Sequence, residues 1–126
     1  MENKLKPGPI QQEWIQSLKD HPERQTKFKL GVGTPENYKA CCLGELALIA
    51  GIAKFKGYKI VSFRSDGSEI STGIADYETV GLRDPVGSCS LKSTDSLALY
   101  NDELMSWPEI AQHVEKNFEN YFTKSV

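Results

Sequence analysis

The stretch "YKACCLGELALIAG", Tyr38 to Gly51, joins a segment that is typical of a strand to one that is typical of a helix. From Leu43 onward apolar residues cover most of the helical surface, and strong helix formers lie among them. Gly51 or the segment just beyond it can end this helix, because glycine is favoured at helix ends. A helix that is apolar on most of its surface is usually buried. We therefore predict a central helix packed against a sheet.

Two hairpins are predicted, one before and one after this helix in the chain. The signals are an alternation of polar and apolar residues and the presence of turn residues between the segments. "QTKFKL", Gln25 to Leu30, alternates polar and apolar residues, and we expect it to pair with Tyr38 to Cys42 across a loop at Gly31 to Asn37. Further along, "YKIVSF" and "SEIST" flank the turn residues Ser65-Asp66-Gly67, a pattern typical of a second hairpin. The sheet is therefore expected to be small and antiparallel.

The N-terminal region is predicted to form a helix from Ile10 to Lys19. Ile10, Trp14 and Leu18 recur at intervals of four residues, which places them on one helical face. His21-Pro22 follows and ends the helix, because proline cannot continue it.

The C-terminal region is predicted to form a second terminal helix. Ser106 and Glu109 have the spacing of a capping box, in which each side chain satisfies a backbone N–H group of the other residue. The helix after them places four apolar residues on one face, namely Ile110, Val114, Phe118 and Phe122. Between the hairpins and this helix we expect a short helix at Ile74 to Val80, capped by Gly81. Another, containing "SLALYND", is expected after a cap at Ser93-Thr94-Asp95.

Helices at both ends of a chain that also contains hairpins indicate an α+β fold. The chain has 126 residues, of which 39% are apolar and 25% charged, the size and composition of one globular domain. We therefore predict a single α+β domain over residues 1–126, with short hairpins packed against the central helix and the terminal helices.

The cellular setting is predicted from hydropathy and cysteine usage. No run reaches the ~18 to 20 apolar residues that span a bilayer, and "MENKLKPGP" lacks the apolar stretch of a secretory signal. The three cysteines, two of them adjacent, do not resemble a secreted disulfide framework. We therefore expect a cytoplasmic protein without a membrane partner.

The charge of the chain is unevenly distributed. The net charge of -2 gives no general attraction to DNA, so nucleic acid is not expected as a partner. However, Lys19 to Arg64 carry nine basic residues against four acidic ones, whereas Ser65 to Val126 carry four against eleven. Two solvated faces of opposite sign are the simpler interpretation. The functional alternative is a cationic patch for an anionic ligand such as a nucleotide.

The adjacent cysteines lie where a helix N-terminus could lower a thiol pKa or hold an anion. Cys42 comes just before the predicted helix, but no spacing brings His21 or His113 to it. Two small residues packed in a core are the simpler interpretation. A small enzyme that uses Cys42 or Cys41 as a nucleophile is the alternative.

Metal and cofactor sites are not predicted. The chain has no C-x-x-C or H-x-x-x-H pair, and Cys89 with Cys41-Cys42 is not a recognised zinc spacing. The "GVG" at Gly31 to Gly33 is a turn signal without the helix that a phosphate-binding loop needs. No residue is therefore assigned a catalytic or metal-binding role.

Six residues are the candidates for ligand binding: Trp14, Gln25, Lys27, Cys42, Asn101 and Asp102. Asn101 and Asp102 fit a structural role equally, because such side chains readily accept backbone N–H groups at a turn or helix end. Trp14 and Trp107 are more typical of core anchors than of stacking platforms, since both lie in or beside amphipathic helices. A pocket lined by the six residues is the functional alternative.

Five short segments stand out along the chain by residue type and order. They are an aromatic helix at Trp14, a glutamine before a strand at Gln25, "CCLG" at Cys41 to Gly44, "LALYND" at Leu97 to Asp102, and "SWPEIA" at Ser106 to Ala111. In this order they resemble a family of small, mostly uncharacterised bacteriophage and prophage proteins, which have "CCLG" opening a helix and "LND" before an "S-F-x-E-I-A" helix. Tyr100 and Trp107 depart from that pattern, where leucine and phenylalanine are usual. The resemblance implies a phage setting and the host cytoplasm, but no established activity.

The leading function predicted from the sequence is that of a phage accessory protein that acts by binding, with an anti-defence role. It would either inhibit a host defence protein through an acidic or aromatic face, or sequester an anionic nucleotide-like signal. The second route would use the cationic half of the chain with Gln25, Lys27 and the start of the Leu43 helix. The sequence leaves the oligomeric state open, with a homo-oligomer as one option.

Overall fold

The computed structural model describes residues 5–27, 30–64, 66–70, 76–82, 97 and 100–126. In chain order the elements are α1 (Pro9–Asp20), a 3-10 turn (Pro22–Arg24), β1 (Gly31–Thr34), β2 (Asn37–Ala40), α2 (Cys42–Ala50), β3 (Ala53–Lys56), β4 (Lys59–Phe63) and β5 (Glu69–Ile70). Later in the chain lie α3 (Tyr77–Val80), a π-helical turn (Tyr100–Leu104), α4 (Trp107–Lys116) and α5 (Phe118–Tyr121). The predicted α+β fold is confirmed.

The five described strands form one open antiparallel sheet in the order β2-β1-β4-β3, with β5 also paired to β4. At the start of β4, Lys59 pairs with Val32 of β1. At its other end, Ser62 pairs with Ala53 of β3 on one side and with Ile70 of β5 on the other. β1 and β5 therefore lie one after the other along the same side of β4.

The central helix α2 is confirmed, and it begins one residue earlier than the sequence predicted. Cys41 has an extended backbone and is the N-cap, with its Sγ accepting the Gly44 N–H at 3.3 Å. Gly51 ends the helix in the left-handed conformation, with φ at +78°. The buried residues of α2 are Cys42, Leu43, Gly44, Glu45, Leu46 and Ala47, so almost its whole first two turns lie inside the protein. α2 packs against α1 and against the sheet.

The first hairpin lies further along the chain than predicted, so the strand expected at Gln25 to Leu30 is wrong. The described part of that segment contains only an isolated parallel bridge from Gln25 to Ala40, and β1 instead begins at Gly31. A side chain at Gly31 would lie 2.3 Å from Ile60 Cδ1 and 2.8 Å from the Lys39 carbonyl oxygen. The glycine is therefore needed for close packing inside the sheet and does not mark a loop.

The second hairpin is confirmed by the pairing of β4 with β5, although β5 is only two residues long. The sequence interpretation missed β3, which forms a further hairpin with β4. The turn between them places Gly57 at φ +64°, a conformation that favours glycine. Lys54 and Lys56 alternate with Ala53 and Phe55, so the signal for a strand is present in the sequence.

The capping box before α4 is confirmed. Glu109 Oε1 accepts the Ser106 N–H at 2.9 Å, and Ser106 Oγ accepts the Glu109 N–H at 3.5 Å. The helix ends at Lys116, so the prediction of one helix through Phe122 is wrong. Asn117 interrupts it because its side-chain N–H group bonds to the His113 carbonyl oxygen at 3.0 Å.

The apolar residues beyond this interruption keep their predicted burial. Phe118 and Phe122 stack with 4.6 Å between ring centroids, and Phe122 also contacts the edge of Trp14. Upstream, α3 is shorter than the predicted Ile74 to Val80, and Gly81 follows it at φ +75° as expected. The cap expected at 93–95 and Cys89 lie outside the described residues.

The buried amide of Gln11 connects the two ends of the chain. Its Oε1 accepts the N–H groups of Gly8 and Val126, at 2.9 and 3.0 Å. Its Nε2 donates to the carbonyl oxygens of Val80 and Lys124, at 3.0 and 2.9 Å. α1, α3 and the C-terminal segment are thereby held together by one side chain that the sequence interpretation did not single out.

Candidate functional site

Five of the six candidate ligand-binding residues lie together, around the fully buried side chain of Asn101. Asn101 Oδ1 accepts the backbone N–H of Cys42 and the indole N–H of Trp107, both at 3.0 Å. Its Nδ2 donates to the Thr26 carbonyl oxygen at 2.7 Å and to Asp102 Oδ1 at 3.1 Å. One amide therefore joins the segment before β1, the start of α2 and the start of α4.

Gln25 and Trp14 extend this cluster. Gln25 Nε2 donates to the carbonyl oxygens of Asn101 and Met105, at 3.0 and 2.8 Å, and its Oε1 accepts the Trp107 N–H at 3.1 Å. Trp14 Nε1 donates to the Cys42 carbonyl oxygen at 2.7 Å. The sixth candidate, Lys27, is exposed to solvent, and its side chain takes no part in the hydrogen bonds described for the cluster.

The polar atoms of this cluster are used to hold the fold. Among the described residues, every buried side-chain nitrogen and oxygen has a hydrogen-bond partner. An amide whose donors and acceptors are all engaged inside the protein offers little to a ligand, because binding would require those bonds to break. The geometry therefore favours the structural interpretation of Asn101 and Asp102 over the pocket.

Both cysteines of the "CCLG" segment are buried. Cys42 Sγ donates to the Leu97 carbonyl oxygen at 3.6 Å, and Cys41 Sγ accepts the Gly44 N–H. Burial raises the pKa of the Cys42 thiol well above its usual value, and the neighbouring Cys41 raises it further. The helix start that the sequence offered to an anion is already occupied, because Asn101 Oδ1 accepts the Cys42 N–H.

We expect Cys41 and Cys42 to react slowly with iodoacetamide at neutral pH, because both are buried and the raised pKa of Cys42 keeps its thiol protonated. The measurement uses a Cys89→Ser background, so that only these two thiols are followed. The labelling rate should rise to that of free cysteine only in urea concentrations that unfold the protein. Labelling of the folded protein as fast as free cysteine would contradict this prediction.

A second feature is the open face of the sheet, which we call the lysine face and define by Lys39, Lys54, Lys56 and Lys59. Side chains that pair directly across an antiparallel sheet point to the same face. Val32 pairs with both Lys39 and Lys59, and Lys56 also pairs with Lys59. Lys54 pairs with Val61, two residues along β4 from Lys59. All four lysines therefore share one face, and all are exposed.

The opposite face of the sheet is the core face. Ala40, Ile60 and Ser62 point to it and are almost completely buried. Glu69 is the only acid in the five strands, and its pairing with Phe63 places it on the lysine face. Every charged residue of the strands thus lies on one side, with four lysines against one glutamate. Four of the nine basic residues between Lys19 and Arg64 lie here.

A groove of about 270 Å³ lies on this face, lined by Lys56, Lys59, Val61, Glu69 and Ile70. Glu69 forms ion pairs with Lys56 at 2.6 Å and with Lys54 at 3.1 Å. Lys59 has no ion pair with any described residue. Lys56 and Lys59 lie directly opposite each other on adjacent strands. This arrangement is unfavourable, because the two positive charges repel each other. An anion between them would remove that repulsion.

A third feature is the buried carboxylate of Glu45, which the sequence interpretation missed. Its Oε1 accepts the Tyr38 hydroxyl at 2.5 Å, its Oε2 accepts the Ser17 hydroxyl, and Arg24 Nη1 lies 3.5 Å from Oε2. Burial, and then the bond to Glu45, raise the pKa of the Tyr38 phenol, so that it remains a donor. An open groove of about 460 Å³ lies against this cluster. The only sequence signal was an acid in the first turn of an otherwise apolar helix.

The Glu45 cluster is internally complete. The carboxylate has two hydroxyl donors and a nearby guanidinium, which is how proteins stabilise a charge that is almost fully buried. The guanidinium of Arg24 also stacks over the Tyr38 ring, with 4.9 Å to the ring centroid. The cluster therefore holds α1, β2 and α2 together.

The described residues contain neither a group of metal ligands nor a membrane-spanning helix. In that part of the chain no three His, Cys, Asp or Glu side chains are grouped as metal ligands. No helix there has the length and apolar character needed to cross a membrane.

Comparison with protein-family models, curated proteins and solved structures finds no match to this chain. Its function is therefore inferred from its own residues and contacts.

Proposed function

We propose that this protein acts by binding an anionic, nucleotide-like ligand on its lysine face, without catalysing a reaction. The observation that supports the proposal is the segregation of charge in the sheet, where four exposed lysines and one glutamate share a face. The groove beside Lys56 and Lys59 gives an anion a place where two cations converge. Each exposed contact between opposite charges contributes modestly, so the convergence of several lysines is what would give useful affinity.

This proposal keeps the binding function expected from the sequence but moves the site. The predicted site used Gln25, Lys27 and the start of α2, whereas the hydrogen bonds of Gln25 and of the helix start are taken up within the fold. The lysine face draws on the same cationic half of the chain. It therefore favours the route in which an anionic signal is sequestered over the route through an acidic surface.

The biological setting is part of the same proposal. The order of the "CCLG", "LALYND" and "SWPEIA" segments is its basis, through their resemblance to phage proteins. On that basis the protein would be a phage accessory protein, acting in the host cytoplasm against a defence system that uses a nucleotide-like signal. The alternative of a cysteine enzyme is disfavoured by the burial of both thiols and by the raised pKa of Cys42.

Isothermal titration calorimetry tests the proposal. The full chain is titrated at low salt with AMP and with inorganic tripolyphosphate. We expect both to bind, and we expect the double variant Lys56→Gln, Lys59→Gln to weaken binding about tenfold or more, because it removes both cations of the groove. Raising the salt concentration should weaken binding to the wild-type chain, since exposed charges are screened.

Lys116→Gln is the matched control, because Lys116 is also exposed but lies on α4, outside the lysine face. The affinity of the Lys116→Gln variant for AMP and for tripolyphosphate should equal that of the wild type. Chromatography of the recovered AMP separates binding from catalysis, since a binding protein returns it intact. An affinity that is the same in the double variant and in the wild type would refute the proposed site.

A further inference from the structure

The groove on the lysine face brings three kinds of chemistry together. Lys56 and Lys59 supply positive charge, Val61 supplies aliphatic surface, and Glu69 supplies a carboxylate. A ligand made only of phosphate groups would use the lysines and be repelled by Glu69. A ligand that used all three kinds of group would combine an anion, a compact apolar surface and hydrogen-bond donors.

The carboxylate of Glu69 has unused acceptor capacity. Its Oε1 lies 2.6 Å from Lys56 Nζ and its Oε2 lies 3.1 Å from Lys54 Nζ. The hydrogen bonds from Lys56 and then Lys54 lower the pKa of Glu69, so the group is ionised at neutral pH and acts only as an acceptor. Each carboxylate oxygen can accept about two hydrogen bonds, and 26% of the side chain remains exposed to solvent. Donors from a ligand can therefore reach it.

Hydroxyl groups are the donors that fit beside a phosphate. They are neutral, so they are compatible with the nearby lysines, and they donate to a carboxylate through a charge-assisted hydrogen bond. An ammonium group would also donate, but Lys56 and Lys54 already present two cations to the same carboxylate and would repel it. The arrangement thus selects a hydroxyl-bearing anion.

We infer that the groove recognises a phosphorylated sugar, with Glu69 as the specificity-determining acceptor for the sugar hydroxyls. The phosphate lies between Lys56 and Lys59, whose positions directly across the β3–β4 pair let both ammonium groups reach one anion. The carbon face of the sugar packs on Val61. A groove of about 270 Å³ is slightly smaller than most ligand sites, which suits one sugar phosphate unit. This inference rests on the proposed anion-binding function and names the class of ligand.

Titrations with AMP, deoxy-AMP and inorganic tripolyphosphate test this inference. Wild-type protein should bind AMP about five- to tenfold more tightly than deoxy-AMP, because deoxy-AMP lacks one of the two ribose hydroxyls of AMP. In Glu69→Ala that preference should fall to about twofold or less. Tripolyphosphate, which has no sugar, should bind Glu69→Ala about three- to tenfold more tightly than the wild type, since a repelling charge is gone.

Glu115→Ala is the matched control, because Glu115 also pairs with a lysine, Lys19, at 2.8 Å on the surface but lies outside the groove. It should change none of the three affinities. A urea unfolding curve checks that the Glu69→Ala variant folds. We expect it to fold, because exposed ion pairs contribute little to stability. Equal wild-type affinity for AMP and deoxy-AMP, or an equal loss of both in Glu69→Ala, would overturn the inference.

The two proposals fail in different ways. If tripolyphosphate and AMP both fail to bind the wild-type protein, the proposed anion site is wrong, and the inference about Glu69 is overturned with it. If tripolyphosphate binds through Lys56 and Lys59 but the ribose hydroxyls make no difference, only the inference about Glu69 is overturned.

Discussion

Replacing Asn101 with alanine is expected to lower the free energy of unfolding by about 3 to 5 kcal/mol. The substitution removes the acceptor of the Cys42 N–H and of the Trp107 indole N–H, and both donors would remain buried. It also removes the donor to the Thr26 carbonyl oxygen. Each unsatisfied buried group costs about 1 to 3 kcal/mol, and the costs are less than additive because the groups share one site.

Urea unfolding followed by tryptophan fluorescence measures this effect, since Trp107 bonds directly to Asn101 and Trp14 bonds to the Cys42 carbonyl oxygen. Asn120→Ala is the control, because Asn120 is exposed on α5 and should change stability by no more than about 0.5 kcal/mol. A loss below about 1 kcal/mol for Asn101→Ala would show that these hydrogen bonds do not hold the fold as described.

Replacing Gly44 with alanine is expected to destabilise the protein by about 3 kcal/mol. Helix propensity alone predicts the opposite sign, because alanine is favoured over glycine inside a helix by roughly 0.5 to 1 kcal/mol. However, the added Cβ would lie 2.1 Å from the Leu30 carbonyl oxygen and 3.3 Å from the Ala40 Cβ. The backbone of Leu30 would have to move, and with it the entry into β1.

The midpoint of thermal or urea unfolding measures this change. Gly51→Ala is the comparison, because nothing lies within 4 Å of the added Cβ and only the left-handed backbone at φ +78° opposes it. That substitution should cost about 1 to 2 kcal/mol. If Gly44→Ala were neutral or stabilising, the close approach of α2 to the segment before β1 would be wrong.

Features set by neighbours along the chain were predictable from the sequence. The period of Ile10, Trp14 and Leu18 identified α1, and the spacing of Ser106 and Glu109 identified the capping box. Gly51 or the segment just beyond it was predicted to end α2, and the helix ends at Gly51. In each case the interaction spans about one helical turn, so the residue types themselves carry the information.

Features set by contacts between residues that are distant along the chain were not predictable from the sequence. The "GVG" of β1 was interpreted as a turn, because the approach of Ile60 that requires Gly31 comes from another strand. Asn117 ends α4 although the apolar period continues through it. Gln25 and Asn101 were singled out, and they do meet, but only the hydrogen bonds of the folded protein show that their polar atoms are engaged within it.

The lysine face shows the same division. The sequence by itself determined an excess of positive charge between Lys19 and Arg64 and an alternation of lysine with apolar residues in β3. The tertiary structure decided that Lys39 and Lys59 share a face, because both pair with Val32 from different strands. It also decided that Glu69 meets Lys54 and Lys56. Strand register depends on the packing of the whole sheet on α2, and a shift of one residue would send these side chains to the opposite face.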